Sequence, residues 1–151
     1  FGGHAIFIDA NKFVPTIPRE QYRAQALAIE LYIVGGIRGV EIGTVLADRD
    51  PFTRKNRYPE LELVRLAIPR RTYSQNHMLY VATVLKNIYD TRKEAKSGYT
   101  IIEEAPIMRH FTAKFEKIWA TKIIPYYHIS DGMLKKEVCI FYSFIVSNSM
   151  M

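Results

Sequence analysis

The sequence predicts an α+β layer, a small sheet covered by two helices. Three observations carry that prediction. Short apolar runs of strand length occur near residues 5–8, 37–43 and 62–68. Two longer stretches repeat their apolar residues at helical spacing, and each is closed by a glycine-containing stop, Gly35-Gly36 and Ser97-Gly98. The implied order is β-α-β-β-α-β-β.

His4 to Asp9 contains the continuous apolar run Ala5-Ile6-Phe7-Ile8, a buried strand by its length and its polar ends. Pro18 suits the first turn of a helix, where its missing N–H costs nothing. Ala24, Leu27, Ala28, Leu31 and Tyr32 then form one apolar stripe, and Gly35-Gly36 ends it because glycine tolerates a left-handed cap. Ile37 to Gly43 reads as a second strand. Period two sets Arg38, Val40 and Ile42 on one face and Ile37, Gly39 and Glu41 on the other.

A polar, proline-bounded loop over 48–59 precedes a third strand, Glu62 to Ile68. Leu63, Arg65 and Ala67 share one face of it, and Val64, Leu66 and Ile68 the opposite one. Thr72 with Gln75 three residues on fits a capping box. Met78, Val81, Ala82, Leu85 and Tyr89 give the second helical stripe. Tyr99 to Glu104 is a short strand, and Ile107 to Phe115 alternates as another, with Arg109 breaking its apolar face. Residues 119–151 alternate apolar clusters without a clear frame.

Of the 151 residues, 48% are hydrophobic and 24% charged, a globular composition and not a disordered one. The longest apolar run, Val138 to Val146, falls far short of the roughly 18 residues of a membrane span. One cysteine, Cys139, excludes an internal disulfide framework and a multi-cysteine zinc site, and fits a reducing, cytoplasmic compartment. The net charge of +6 is scattered. Its densest cluster, Arg49, Arg54, Lys55 and Arg57, is interrupted by Asp48 and Asp50 and reads as a solvated loop, not a nucleic-acid surface. The opening Phe1-Gly2-Gly3 carries neither methionine nor a signal-peptide pattern, so a start in mid-protein is expected.

No phosphate loop, dinucleotide fingerprint, zinc-protease or nucleophile-elbow motif occurs, and the four histidines are far apart in sequence. Arg65 is the most informative residue. It is a guanidinium inside the apolar run 63–68, and arginine cannot shed its proton to escape burial. Its fork matches a carboxylate in a two-point grip. It is either a receptor for a carboxylate ligand, one half of an internal ion pair, or a strand-edge residue reaching water. His110 is either a pocket wall able to exchange a hydrogen bond near neutral pH or a surface histidine. Val40 and Ile42 either line an apolar pocket or belong to the core.

Five strings recur in register with a known family: Gly2-Gly3-His4-Ala5, Ala24 to Ala28, Gly36 to Gly43, Val64 to Arg70, and Met108 to Lys114. Together they closely resemble the C-terminal part of the β-eliminating lyases, the family of tryptophanase and tyrosine phenol-lyase, and its tryptophanase branch in particular. The match runs through about Ile118. The resemblance implies the small domain of an aspartate-aminotransferase-like (fold type I) enzyme over residues 1–118, with 119–151 an extension of unknown structure.

It also implies residue roles. Arg65 would hold the substrate α-carboxylate. His110 would face the indole ring, where a phenylalanine is expected in the phenol-lyase, and Phe111 would help shape the pocket. Val40 and Ile42 would form an apolar wall; the phenol-lyase carries an arginine at the position of Ile42. The implied reaction is α,β-elimination of L-tryptophan to indole, pyruvate and ammonia, with pyridoxal phosphate (PLP) as electron sink. The PLP lysine and the ligands of a monovalent cation such as potassium lie upstream in the family. No catalytic, cofactor-binding or metal residue is therefore expected in this chain, which alone should be inactive. The expected partners are L-tryptophan or a related amino acid, the remainder of the polypeptide, and sister copies in a homotetramer. Two alternatives remain: a tyrosine phenol-lyase or broad-specificity lyase, and a non-catalytic basic interaction fragment.

Overall fold

The computed structural model describes residues 3–69, 71–95, 97–118, 124–130 and 133–139. The chain divides into two compact units, Phe1–Ile118 and Trp119–Met151.

The first unit is α+β. Strand β1 (Ala5–Asp9) runs into a single helical turn, α1 (Ala10–Phe13), capped by Asp9, whose carboxylate accepts from the amides of Asn11 at 3.0 Å and Lys12 at 3.3 Å. Helix α2 spans Arg23–Gly35. Pro18, expected in its first turn, instead precedes a separate 3-10 turn, Arg19–Gln21. The break lies at Tyr22, whose φ of 55° interrupts the helical path. A bulky residue adopts that conformation at a cost, and Tyr22 offsets it by burying its ring edge-on to Phe115, 5.9 Å between centroids.

Ala24, Leu27, Ala28 and Leu31 of α2 are buried as the stripe predicts, but Tyr32 is 59% exposed and lies outside the core. Burying a leucine such as Leu27 contributes about 1.5–3 kcal/mol. Gly36 closes the helix at φ 64°, its amide donating to the carbonyls of Leu31 and Tyr32. Gly35 is needed for a second reason. A Cβ there would come within 2.7 and 2.9 Å of the Val84 methyls, so its absence lets the next helix approach.

Strand β2 is shorter than the expected 37–43, only Val40–Ile42. Strand β3 (Leu63–Ala67) lies between β1 and β2, antiparallel to both. Helix α2 packs on β2 and β3, and α3 (Gln75–Thr91) packs against α2. The cap of α3 is Ser74, not Thr72, and the reciprocal acceptor is His77, whose Nδ1 takes the Ser74 amide at 3.2 Å. Its buried residues are Val84 and Ile88, with Val81 and Leu85 half-buried; Ala82 and Tyr89 of the expected stripe are exposed.

The remaining elements form a separate hairpin rather than a continuation of the first sheet. Strand β4 (Tyr99–Glu103) pairs with β5 (Lys114–Lys117), with a bulge between Ile101 and Glu103. The expected strand over 107–115 is corrected: residues Arg109–Thr112 form a helical turn, α4, and the strand begins only at Lys114. Met108, at φ 54°, turns the chain into α4.

The second unit contains an antiparallel hairpin of β6 (Ile124–Ser130) and β7 (Met133–Cys139), in register from Ile124↔Cys139 to Ser130↔Met133. Among the described residues no helix is long and apolar enough to cross a membrane, and no group of three or more metal-ligating side chains occurs.

Candidate functional site

Strand alternation decides where Arg65 points. Val64 and Leu66 are buried under α2, so Leu63, Arg65 and Ala67 take the other face of β3. Register then supplies the neighbours. Phe7 of β1 and Val40 of β2 lie directly opposite Arg65 on either side, and Ile42 lies opposite Leu63. Phe7 and Val40 are 54% and 52% exposed. Arg65 is half-buried between them, and among the described residues it makes no hydrogen bond or ion pair. The internal ion pair that the sequence left open is therefore absent among those residues, and a two-pronged cation stands on an apolar face with its donors free.

His110 and Phe111 lie on α4. Both are exposed, Phe111 by 74%, and their rings are in tilted contact at 4.0 Å between centroids. Neither side chain makes a hydrogen bond among the described residues, although the Phe111 amide donates to the Met108 carbonyl at 3.1 Å. Arg109 brings them to the β2 side of the unit. Its side chain, which sequence reasoning treated as an interruption of a strand, is wholly buried. It donates through Nε to the Val45 carbonyl at 3.0 Å and through Nη2 to the Thr44 carbonyl at 2.5 Å. These carbonyls belong to the turn immediately after Ile42. The signal that singled out Arg65, a guanidinium within apolar surroundings, applied equally to Arg109. A cavity of about 450 Å³ lies elsewhere, lined by Ile37, Leu66, Tyr73, His77, Val81 and Leu85, and by none of the five expected site residues.

The turn after β2 is also held from beneath. Glu41, on the core side of β2, accepts from the amides of Val45 at 3.0 Å and Leu46 at 2.9 Å. Glu62 is fully buried beside it and accepts from the Thr44 hydroxyl. Arg19 Nε is 3.8 Å from Glu62, close enough for attraction but too far for a hydrogen bond. Burial raises the Glu41 pKa and the Glu62 charge adds to it, outweighing the backbone amides of Val45, Leu46 and Gly43 that lower it. Near Arg109 the balance is reversed. Burial of Glu104 favours its neutral form, but the hydrogen bonds and charges of Arg49 and Arg109 outweigh it and hold its pKa below the ordinary value.

The raised Glu41 pKa has a sign that can be measured. The fold holds that proton more tightly than the unfolded chain does. Its stabilising contribution is complete below the ordinary glutamate value of 4.5 and is lost as pH rises through the folded pKa. The stability of the native chain relative to Glu41→Gln, followed by urea unfolding at stepped pH, is expected to decline from about pH 4.5 upwards. A difference that stays flat or grows would contradict it.

The chain also matches known proteins in sequence. A family model described as beta-eliminating lyase matches residues 9–84, just over half of the chain, from the end of β1 through much of α3. A probable beta-eliminating lyase of Trichomonas vaginalis is 56% identical over 117 residues, 78% of this chain and 26% of the relative. Tyrosine phenol-lyase of Symbiobacterium sp. (strain SC-1) and tryptophanase of Escherichia coli O157:H7 are each 49% identical over 117 residues, 78% of this chain and 25% of each relative. The chain thus spans about a quarter of the length of these curated relatives. The match takes in strands β2 and β3, which present Val40, Ile42 and Arg65, and on that match the chain belongs to the beta-eliminating lyase family.

Proposed function

We propose that this chain is the C-terminal small domain, over residues 1–118, of a lyase that removes the aromatic β-substituent of an amino acid, with tryptophan the preferred substrate. The observation that carries the reading is the half-buried Arg65 between Phe7 and Val40, without a hydrogen-bond or ion-pair partner among the described residues. A fork with free donors on an apolar face suits a ligand with a carboxylate at one end and a ring at the other. Arg65 binds the carboxylate and fixes the amino acid's orientation, which aligns the Cα–H bond for proton removal. Val40 and Ile42 supply an apolar wall, and His110 with Phe111 supplies the aromatic end. An apolar wall leaves a phenol oxygen unpaired and leaves an indole carbon frame satisfied, which favours tryptophan.

The family implies dependence on PLP. Within residues 3–118 the described lysines do not fit its attachment. The lysines at 12, 55, 86, 93, 114 and 117 are all exposed, whereas an attachment lysine is activated by burial or by a cationic neighbour in a pocket. We therefore assign cofactor and monovalent-cation binding to the remainder of a longer polypeptide, assembled as a cytoplasmic homotetramer. The segment on its own is expected to be inactive.

Tyrosine phenol-lyase activity is the second reading, because relatives of that name match at the same 49% identity as the tryptophanases. The test is kcat/KM of the holoenzyme carrying this segment on tryptophan and on tyrosine. Tryptophan is expected to be preferred by at least about tenfold, the scale of one lost polar partner. A preference for tyrosine would replace the first reading with the second.

A further inference from the structure

We infer that Arg109 is the positioning residue that sets the aromatic end of the substrate site, joining the turn that carries His110 and Phe111 to the strand that carries Val40 and Ile42. The inference rests on the reading of that site just given. It begins from what α4 lacks. The helix is one turn long, its entry residue Met108 offers no side-chain cap, and the side chains of His110 and Phe111 contact each other without a hydrogen bond to any described residue. Their placement is therefore inherited from the residue before them.

Arg109 is built for that task. Besides the carbonyls of Thr44 and Val45, its Nη1 donates to Asn56 Oδ1 at 2.8 Å and to Glu104 Oε2 at 3.3 Å, and Asp48 Oδ1 lies 3.6 Å from Nε. The partners are themselves held. Glu104 also accepts from Arg49, whose Nη1 donates to the Arg54 carbonyl at 3.1 Å. Asn56 donates to the Tyr22 hydroxyl at 3.1 Å. One guanidinium thus ties α4 to the end of β2, to the 48–59 loop and to the residue after β4. A planar fork meets acceptors in three directions; an ammonium on a flexible stem does not hold that arrangement. Arg109 touches no substrate. It acts through the distance between the ring-facing residues and the β2 wall.

The test uses the holoenzyme and two substrates that share the amino acid head: tryptophan, and S-methyl-cysteine, whose β-substituent is small and has no ring. Arg109→Lys is expected to lower kcat/KM for tryptophan by about 30- to 100-fold, the scale of a displacement near 1 Å, while S-methyl-cysteine changes by less than about threefold. Equal losses on both substrates, or none, would overturn the inference. Should Arg109→Lys not fold, Asn56→Ala decides: a loss of about three- to tenfold confined to tryptophan supports it, and equal losses or no loss overturn it. Arg65→Ala, measured alongside, isolates the underlying reading. It should depress both substrates, and if it depresses neither the site reading fails whatever Arg109 does.

Discussion

On the proposed function, replacing Arg65 by alanine in the holoenzyme that carries this segment is expected to raise KM for every amino-acid substrate, tryptophan and tyrosine alike. The guanidinium is the half-buried cation between Phe7 and Val40, and no described side chain competes for its donors. Two charge-assisted hydrogen bonds to a carboxylate, each about 1.5–3 kcal/mol, correspond to a loss of roughly 100-fold or more. Arg65→Lys keeps the charge but not the fork and should lose less. The uniformity across substrates is the discriminating feature, because the carboxylate is common to all of them. Steady-state kinetics with three substrates suffices, and an unchanged KM would remove Arg65 from the site.

The second large effect concerns stability. Arg109→Met keeps much of the aliphatic volume and removes the donors. The carbonyls of Thr44 and Val45 and the amide oxygen of Asn56 each lose a partner, and Glu104 loses one of its two cations. Taking away one member of a buried charged pair costs about 3–5 kcal/mol. The variant should unfold at lower urea concentration with an unchanged m-value, and protease should cut the 48–59 loop sooner. A midpoint equal to that of the native chain would mean that the network is relieved by water. Arg65→Met, on the open face, should leave the unfolding free energy within about 0.5 kcal/mol of native, so the two arginines are expected to separate by readout: Arg109 in stability, Arg65 in the substrate binding proposed for it.

The two arginines also show why one part of the candidate site was legible in the sequence and another was not. Arg65 stands inside an apolar strand run, so its oddness is visible within six residues. Arg109 sits among residues that alternate loosely, and the alternation suggested a strand. Its acceptors come from residues 44, 45, 56 and 104, and no local pattern relates them. Helix α3 makes the same point about periodicity. Apolar residues at 78–82, 84, 85, 88 and 89 nearly encircle it, so more than one stripe is consistent with the sequence. The contact with Gly35, which accepts Val84, selects the stripe centred on Val84 and Ile88.

Local chemistry alone determined the strands at 5–9 and 63–67, the left-handed glycine cap after α2, and the faces on which Arg65, Val40 and Ile42 point, because pleat and cap are properties of a few neighbouring residues. Only the tertiary structure decided that Glu41 and Glu62 share a buried site, that residues 109–112 form a turn instead of a strand, and that Arg109 is the most deeply held cation among the described residues. Those outcomes depend on which distant groups meet away from water. Burial and hydrogen-bond partnership are relations between segments, and a sequence read one window at a time does not contain them.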